Sequence, residues 1–174
     1  MVFIMQSSNE KAKDLTASIG KGLLNVRAGA IIVKKGKLLM VGNERSDYYY
    51  SVGGRIKFGE TAEEAVIREV EEETGVRMEI DRLGFVHENF FLGDAETNRG
   101  KVIHEISFFF YMKVPDEFEP VCNSFTEDDK KENLYWVDVN TEKKYYPEFL
   151  RQHWKEEEDG GVKRIVTREI PTCE

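Results

Sequence analysis

An α/β fold is what this sequence predicts, and three observations carry the prediction. Ala62, Val66 and Val70 recur every fourth residue, which draws a narrow apolar stripe along one helix. Segments rich in β-formers lie on both sides of that helix, divided by turns of Gly, Asn and Asp. The chain has 174 residues, 40% hydrophobic and 33% charged, which suits one globular domain, 1–174, with a sizeable core. Residues 1–13 are expected to be a frayed, mostly polar start.

In chain order, residues 14–19 and 23–33 flank Gly20-Lys21-Gly22 and read as a hairpin. Residues 34–37, Lys-Lys-Gly-Lys, make a second turn into a strand at 38–41. A polar loop at 43–47 precedes a tyrosine-rich strand at 48–52. The helix that follows is punctuated at both ends. Thr61 is its N-cap, Glu64 completes a capping box, and Gly75 stands where a left-handed residue ends the last turn. Residues 77–92 alternate as one long strand or two short ones, and 94–100 form a turn. The clearest strand is 102–114. Its even positions Val102, Ile106, Phe108, Phe110 and Met112 are expected to face the core, with Glu105 and Ser107 on the other side. Residues 115–133 are a long acidic connection, of a size that is usually functional or disordered. A strand at 134–139 follows. Pro147 suits a first helical turn, so a helix is expected from there to about 157, with Phe149, Leu150 and Trp154 on its apolar face. Gly160-Gly161 ends it, and 164–170 reads as an edge strand.

The chemistry lies on the far side of the first helix. Glu69, Glu72 and Glu73 stand at i, i+3 and i+4, so their carboxylates share one face. Carboxylates that close repel one another, and an oxygen-only cluster suits a hard cation such as Mg²⁺, with Mn²⁺ as an alternative. Arg68 follows Glu64 by four residues and precedes Glu72 by four, so it can orient a carboxylate. Gly53, Gly54 and Gly59 mark a tight loop before the helix, from which Glu60 projects. A glutamate-rich helix is often just a solvated face. The glycines, Glu60 and the Arg68–Glu69 pair outweigh that reading here.

Residues 54–76, GRIKFGETAEEAVIREVEEETGV, resemble the Nudix box. Gly54, Glu60, Arg68, Glu69, Val70, Glu72, Glu73, Gly75 and Val76 meet every specified position of its pattern. The resemblance implies an α/β/α sandwich with a mixed β-sheet, and a metal-dependent hydrolase of nucleoside diphosphates linked to another group. It also implies that Glu69, Glu72 and Glu73, helped by the Gly54 carbonyl, hold the metal. Glu60 then acts behind these ligands or through a bridging water. The general base stays open among Glu72, Glu105 and Glu127, and Glu127 and Glu132 are candidates for a further ligand or base. Residues 25–41 before the box, and HENFF, HEISFFFYMKV and LYWVDV after it, look like its flanking strands. One departure is Val52, where many relatives have proline.

A net charge of −8 argues against partners that are nucleic-acid backbones or anionic membranes. The expected partner is a small nucleotide, with a homodimer left open. Substrate contacts are expected at Arg45, Tyr50, Arg55 and Glu105, and stacking at Tyr48, Tyr50, Phe90 or Phe91. Nucleoside triphosphates, oxidised ones included, are the first expected substrates; sugar-nucleotides, dinucleotide polyphosphates and a non-catalytic nucleotide sensor are the alternatives. His87 and His104 have no partner at metal-ligand spacing and are read as packing residues. Cys122 and Cys173 lack ligand spacing and are expected to be free thiols in a reducing, cytoplasmic setting. Residues 1–5 are too short an apolar run for a signal segment, and no run is long enough to span a bilayer.

Overall fold

The computed structural model describes residues 12–43, 47–93, 98–120, 132–154 and 160–170. Strand β1 (Thr16–Ile19) turns back into β2 (Gly22–Ile31) with Ile19 opposite Gly22, so the expected hairpin is present. A second hairpin joins β3 (Val33–Lys34) to β4 (Lys37–Gly42). Its turn residues Lys35 and Gly36 both have positive φ, 50° and 75°, as a two-residue turn matched to strand twist requires. Next come β5 (Tyr48–Ser51), β6 (Gly53–Arg55) and helix α1 (Ala62–Thr74). The long strands β7 (Glu79–Leu92) and β8 (Val102–Lys113) pair antiparallel along their lengths. The chain continues through β9 (Asn133–Asp138), β10 (Lys144–Tyr146), the short helix α2 (Leu150–His153) and β11 (Lys163–Arg168).

The larger sheet runs β1-β2-β8-β7-β11, with β6 also on β2; the smaller runs β10-β5-β4-β3, with β9 on β4. Both are mixed: β2–β8, β7–β11 and β5–β10 are parallel. Backbone hydrogen bonds tie the sheets together where β2 and β3 meet β5 and β4, from Ala30 N–H to the Val52 carbonyl and from Leu39 N–H to the Ile32 carbonyl.

Alternation along the strands creates two apolar layers. Ala28, Ala30, Leu39, Val41, Phe110 and Met112 point one way, against Ala65, Val66 and Val70 of α1. Ile31, Leu38, Met40, Phe109 and Tyr111 point the other way, against Leu150, Phe149 and Trp154 around α2. One helix on each face of the sheets makes an α/β/α sandwich. Full burial of Val66 and Val70 contributes about 2 kcal/mol each, which anchors α1 rigidly to the strands.

Two expectations need correction. Strand β8 is buried on both faces: Ile103, Ser107, Phe109 and Tyr111 are as enclosed as Phe110 and Met112, because the segment around α2 packs on the side expected to be polar, while Val102, expected in the core, is exposed. The second helix begins at Leu150, not Pro147, and ends by His153, because residues 144–146 extend as β10 and Leu150 N–H bonds the Pro147 carbonyl in a tighter turn. Residues 77–92, open between one strand and two, form a single strand with bulges between Ile80 and Arg82 and between Leu83 and Phe85. Among the described residues no helix is long and apolar enough to cross a membrane. Arg45, Cys122, Glu127 and Cys173 lie outside the described residues.

Candidate functional site

Helix α1 starts where the sequence dictates. Thr61 Oγ1 accepts the Glu64 N–H at 3.1 Å, and Glu64 Oε2 accepts the Thr61 N–H at 2.8 Å. The helix ends at Gly75, whose φ of 74° suits glycine and whose N–H returns to the Glu71 carbonyl. These caps fix the rotation of the helix, and hence which carboxylates face β6.

Arg68 organises the first half of the site. Its Nε and Nη2 donate to the two oxygens of Glu60, at 2.7 and 2.8 Å. Its Nη1 donates to Glu69 Oε1 at 2.5 Å and, weakly, to Glu72 Oε2 at 3.4 Å. Nη2 also reaches the Arg55 carbonyl at 3.2 Å. One planar guanidinium thus locks the loop carboxylate to the helix carboxylate, which the point charge of a lysine could not do. The Arg68 hydrogen bond holds the Glu60 carboxyl below its usual range, helped by the Lys57 N–H, while Glu60 in turn raises Arg68.

The second half lies across Gly53 and Gly54. A Cβ on Gly54 would sit 2.5 Å from the Glu69 carboxylate, and one on Gly53 only 2.3 Å from the Ala28 carbonyl. Gly53 also has φ 136°, which other residues rarely adopt. Gly53 is therefore required by space and by backbone shape, whereas a side chain at Gly54 would displace the Glu69 carboxylate. Gly53 N–H donates to Glu73 Oε1 at 3.3 Å, whereas Glu73 Oε2 is shielded from solvent and has no hydrogen-bond partner. Burial, then the nearby Glu69 charge and Glu132, push the Glu73 carboxyl up to about 8, against opposing pulls from Gly53 N–H and Arg27. Glu132 itself is buried, at 8% exposure, and accepts a hydrogen bond from Tyr50 Oη. Burial and that bond to Glu132 raise the Tyr50 phenol, keeping it a neutral donor.

The structure brings together Gly54, Glu60, Arg68, Glu69 and Glu73 as expected, with Glu72 at the rim, its side chain 56% exposed. Glu71 turns away and pairs with Arg77 at 3.1 Å. Glu105 faces Arg27 at 3.9 Å and Ser107, while Arg55 reaches Asp14 at 3.5 Å. Sequence reasoning missed Arg27, which donates to the Gly53 carbonyl at 3.3 Å. Glu132, a candidate only through the family resemblance, lies buried beside Glu73. His87 and His104 do pack. His87 is enclosed beside Phe149, where burial pushes it down to about 4, and His104 stacks on Phe90.

Among the described residues, no three His, Cys, Asp or Glu side chains are gathered closely enough to hold a metal ion as they stand. The physical reason is visible: Arg68 draws Glu69 and Glu72 toward itself. The donor set nonetheless fits a hard divalent cation. It is all oxygen, it includes a shielded carboxylate oxygen without a partner, and the missing Cβ of Gly54 lets backbone meet Glu69 directly.

A sandwich of this kind, with a glycine loop feeding a carboxylate-bearing helix, defines an α/β protein with an oxygen-rich acidic site at the meeting of loop and helix. The sequence matches the NUDIX domain over residues 23–155, most of its length, and the chain belongs to the Nudix hydrolase family. It is 39% identical over 62 residues to a MutT-like protein of Streptomyces ambofaciens, a match covering 36% of this chain and 40% of that relative. The fold resembles a mutator MutT protein from Bacillus halodurans (TM-score 0.52, 20% identity, 74% of this chain and 80% of that one). It also resembles a Nudix hydrolase from Nitrosomonas europaea (TM-score 0.51, 18% identity, 83% and 77%).

Proposed function

We propose that residues 1–174 form one catalytic domain that hydrolyses the diphosphate linkage of a nucleoside diphosphate derivative with the help of Mg²⁺ or Mn²⁺. The observation that carries this reading is Glu73. It is a shielded carboxylate with an unpartnered oxygen, set beside Glu69 against glycine backbone on a rigid helix. Burying such a group is costly unless a cation completes it.

Glu69, Glu72 and Glu73, with the Gly54 carbonyl, would hold the cation. When bound, it would lower the pKa of its water and screen the phosphate charges. Arg68 holds Glu69 in place, and Glu60 holds Arg68, so the ligand is fixed before substrate arrives. The reaction is attack of water on one phosphorus, with cleavage of a bridging P–O bond and release of a phosphorylated product. A base must take the water's proton; Glu72 and Glu105 remain from the sequence, and buried Glu132 beside Glu73 joins them. A nucleoside triphosphate, oxidised ones included, is the first substrate to test, with sugar-nucleotides and dinucleotide polyphosphates next. The test is a panel of these compounds assayed with Mg²⁺ and with EDTA, with the products identified. Turnover is expected only with metal, and full turnover in excess EDTA would overturn the assignment.

A further inference from the structure

Tyr48, Tyr50 and Tyr146 lie on one face of the smaller sheet, and that face is the one turned toward α1. Tyr48 and Tyr50 alternate along β5, and Tyr146 stands opposite Tyr50 on the parallel neighbour β10. The Tyr48 and Tyr146 rings meet edge to face at 5.3 Å, and Tyr48 lies 6.4 Å from Tyr50. Their partners Tyr49 and Tyr145 point the other way, into the core beneath α2. The row runs from the surface, where Tyr48 and Tyr146 are each 36% exposed, to Tyr50, whose hydroxyl holds Glu132 beside Glu73. The aromatic row is thus continuous with the acidic centre.

Two further observations say what the row is for. The arginines around the acidic centre are already engaged: Arg68 by Glu60 and Glu69, Arg27 by Glu105 and the Gly53 carbonyl, Arg55 by Asp14. These side chains are drawn toward protein partners, and the diphosphate is common to every candidate substrate, so discrimination among them falls to another part of the ligand. Of the other aromatic side chains expected to stack, Phe90 is half-buried and closed to a ligand, because Arg168 lies 3.9 Å over its ring and His104 stacks on it at 4.2 Å.

We propose that the tyrosine row of β5 and β10 is the subsite for the flat base of the substrate, so that the enzyme selects nucleotides over base-free diphosphates by stacking. The inference rests on the diphosphate-cleaving reading of the acidic centre. Stacking suits an aromatic base of either kind, purine or pyrimidine, because each offers a π-face. It gives Tyr48 and Tyr146 a role in specificity and leaves the bond cleavage to the glutamates.

The test is calorimetric binding with Mg²⁺ of hydrolysis-resistant α,β-methylene analogues of ADP, GDP and UDP, against methylenediphosphonate as the base-free counterpart. At least one nucleoside analogue is expected to bind about 10-fold or more tightly than methylenediphosphonate, the margin that stacking of one base supplies. Tyr48→Ala and Tyr146→Ala should each remove most of that margin while leaving methylenediphosphonate binding little changed. Tyr48→Phe should keep the margin. Tyr48→Leu, which preserves bulk without a ring, replaces the alanine variant if that one does not fold. Equal affinity for nucleoside and base-free ligands, or a margin that survives loss of either ring, overturns the subsite and leaves the diphosphate site standing. Failure of every ligand to bind with Mg²⁺ overturns both readings together.

Discussion

Glu69 and Glu73 stand one turn apart on the same helix, yet they live in opposite electrostatic worlds. Glu69, with Glu60, is held by a single guanidinium in short charge-assisted hydrogen bonds. Glu73 has one long bond to a backbone N–H, a shielded second oxygen, and the charges of Glu69 and Glu132 nearby, which the weaker pull of Arg27 does not offset. The first half of the site is neutralised within the protein and is built for rigidity. The second half is left short of positive charge, which is what a site that must recruit a cation needs. Unmet demand for positive charge and structural order are thus separated by one helical turn.

The largest test of this division is on rate. Glu73→Gln and Glu72→Gln should each lower kcat by about 100-fold or more, as loss of a main electrostatic stabiliser does, with the fold retained. Steady-state kinetics at saturating Mg²⁺ measures it, and near-normal turnover in Glu73→Gln would mean that the shielded carboxylate is not part of the chemistry. On stability the two halves should part in sign. Arg68→Ala strips the cation from Glu60 and Glu69 and should cost about 3 kcal/mol in urea unfolding. Glu73→Gln, measured in EDTA, should be neutral or stabilising, because a buried amide needs no proton taken up to be buried. If both variants lose stability alike, the division between the halves is wrong.

Acidity provides a finer probe. Glu60 is held below its ordinary value of 4.5, so its bonds stabilise the fold above that pH and the benefit is lost as pH falls through the lowered folded value. Glu73 is raised from 4.5 to about 8, so the folded, metal-free protein binds the extra proton and loses stability as pH climbs between those values. Melting temperature against pH in EDTA should therefore flatten on the acid side in Glu60→Gln and on the neutral side in Glu73→Gln. Identical profiles for the two variants would show that the carboxylates titrate as one cluster. The smallest effect belongs to Glu71→Gln. Glu71 turns away from the site toward Arg77 on the surface, so activity should stay within about twofold and stability within about 0.5 kcal/mol.

What the sequence made legible was local. Thr61, Glu64 and Gly75 announce the helix through short-range hydrogen bonds, and the spacing of Glu69, Glu72 and Glu73 follows from helix geometry alone. The Gly53–Gly54 pair signalled close approach, and the structure supplies the atoms approached. What stayed hidden depends on contacts between residues distant in the chain. Arg27 reaches Gly53 across 26 residues, and Tyr50 reaches Glu132 across 82; no local pattern encodes either. The double burial of β8 was obscured by Glu105 and Ser107, polar residues that find partners inside. The second helix was overestimated because Phe149, Leu150 and Trp154 pack in a short turn as well as they would along a longer helix.

The anchoring of Glu132 ties the acidic centre to the smaller sheet. The residue is gripped by Tyr50 on β5 and adjoins Asn133, which opens β9 against Gly42. A disturbance of β5 or of the start of β9 would therefore be felt at Glu73, with no change in any residue of the helix itself.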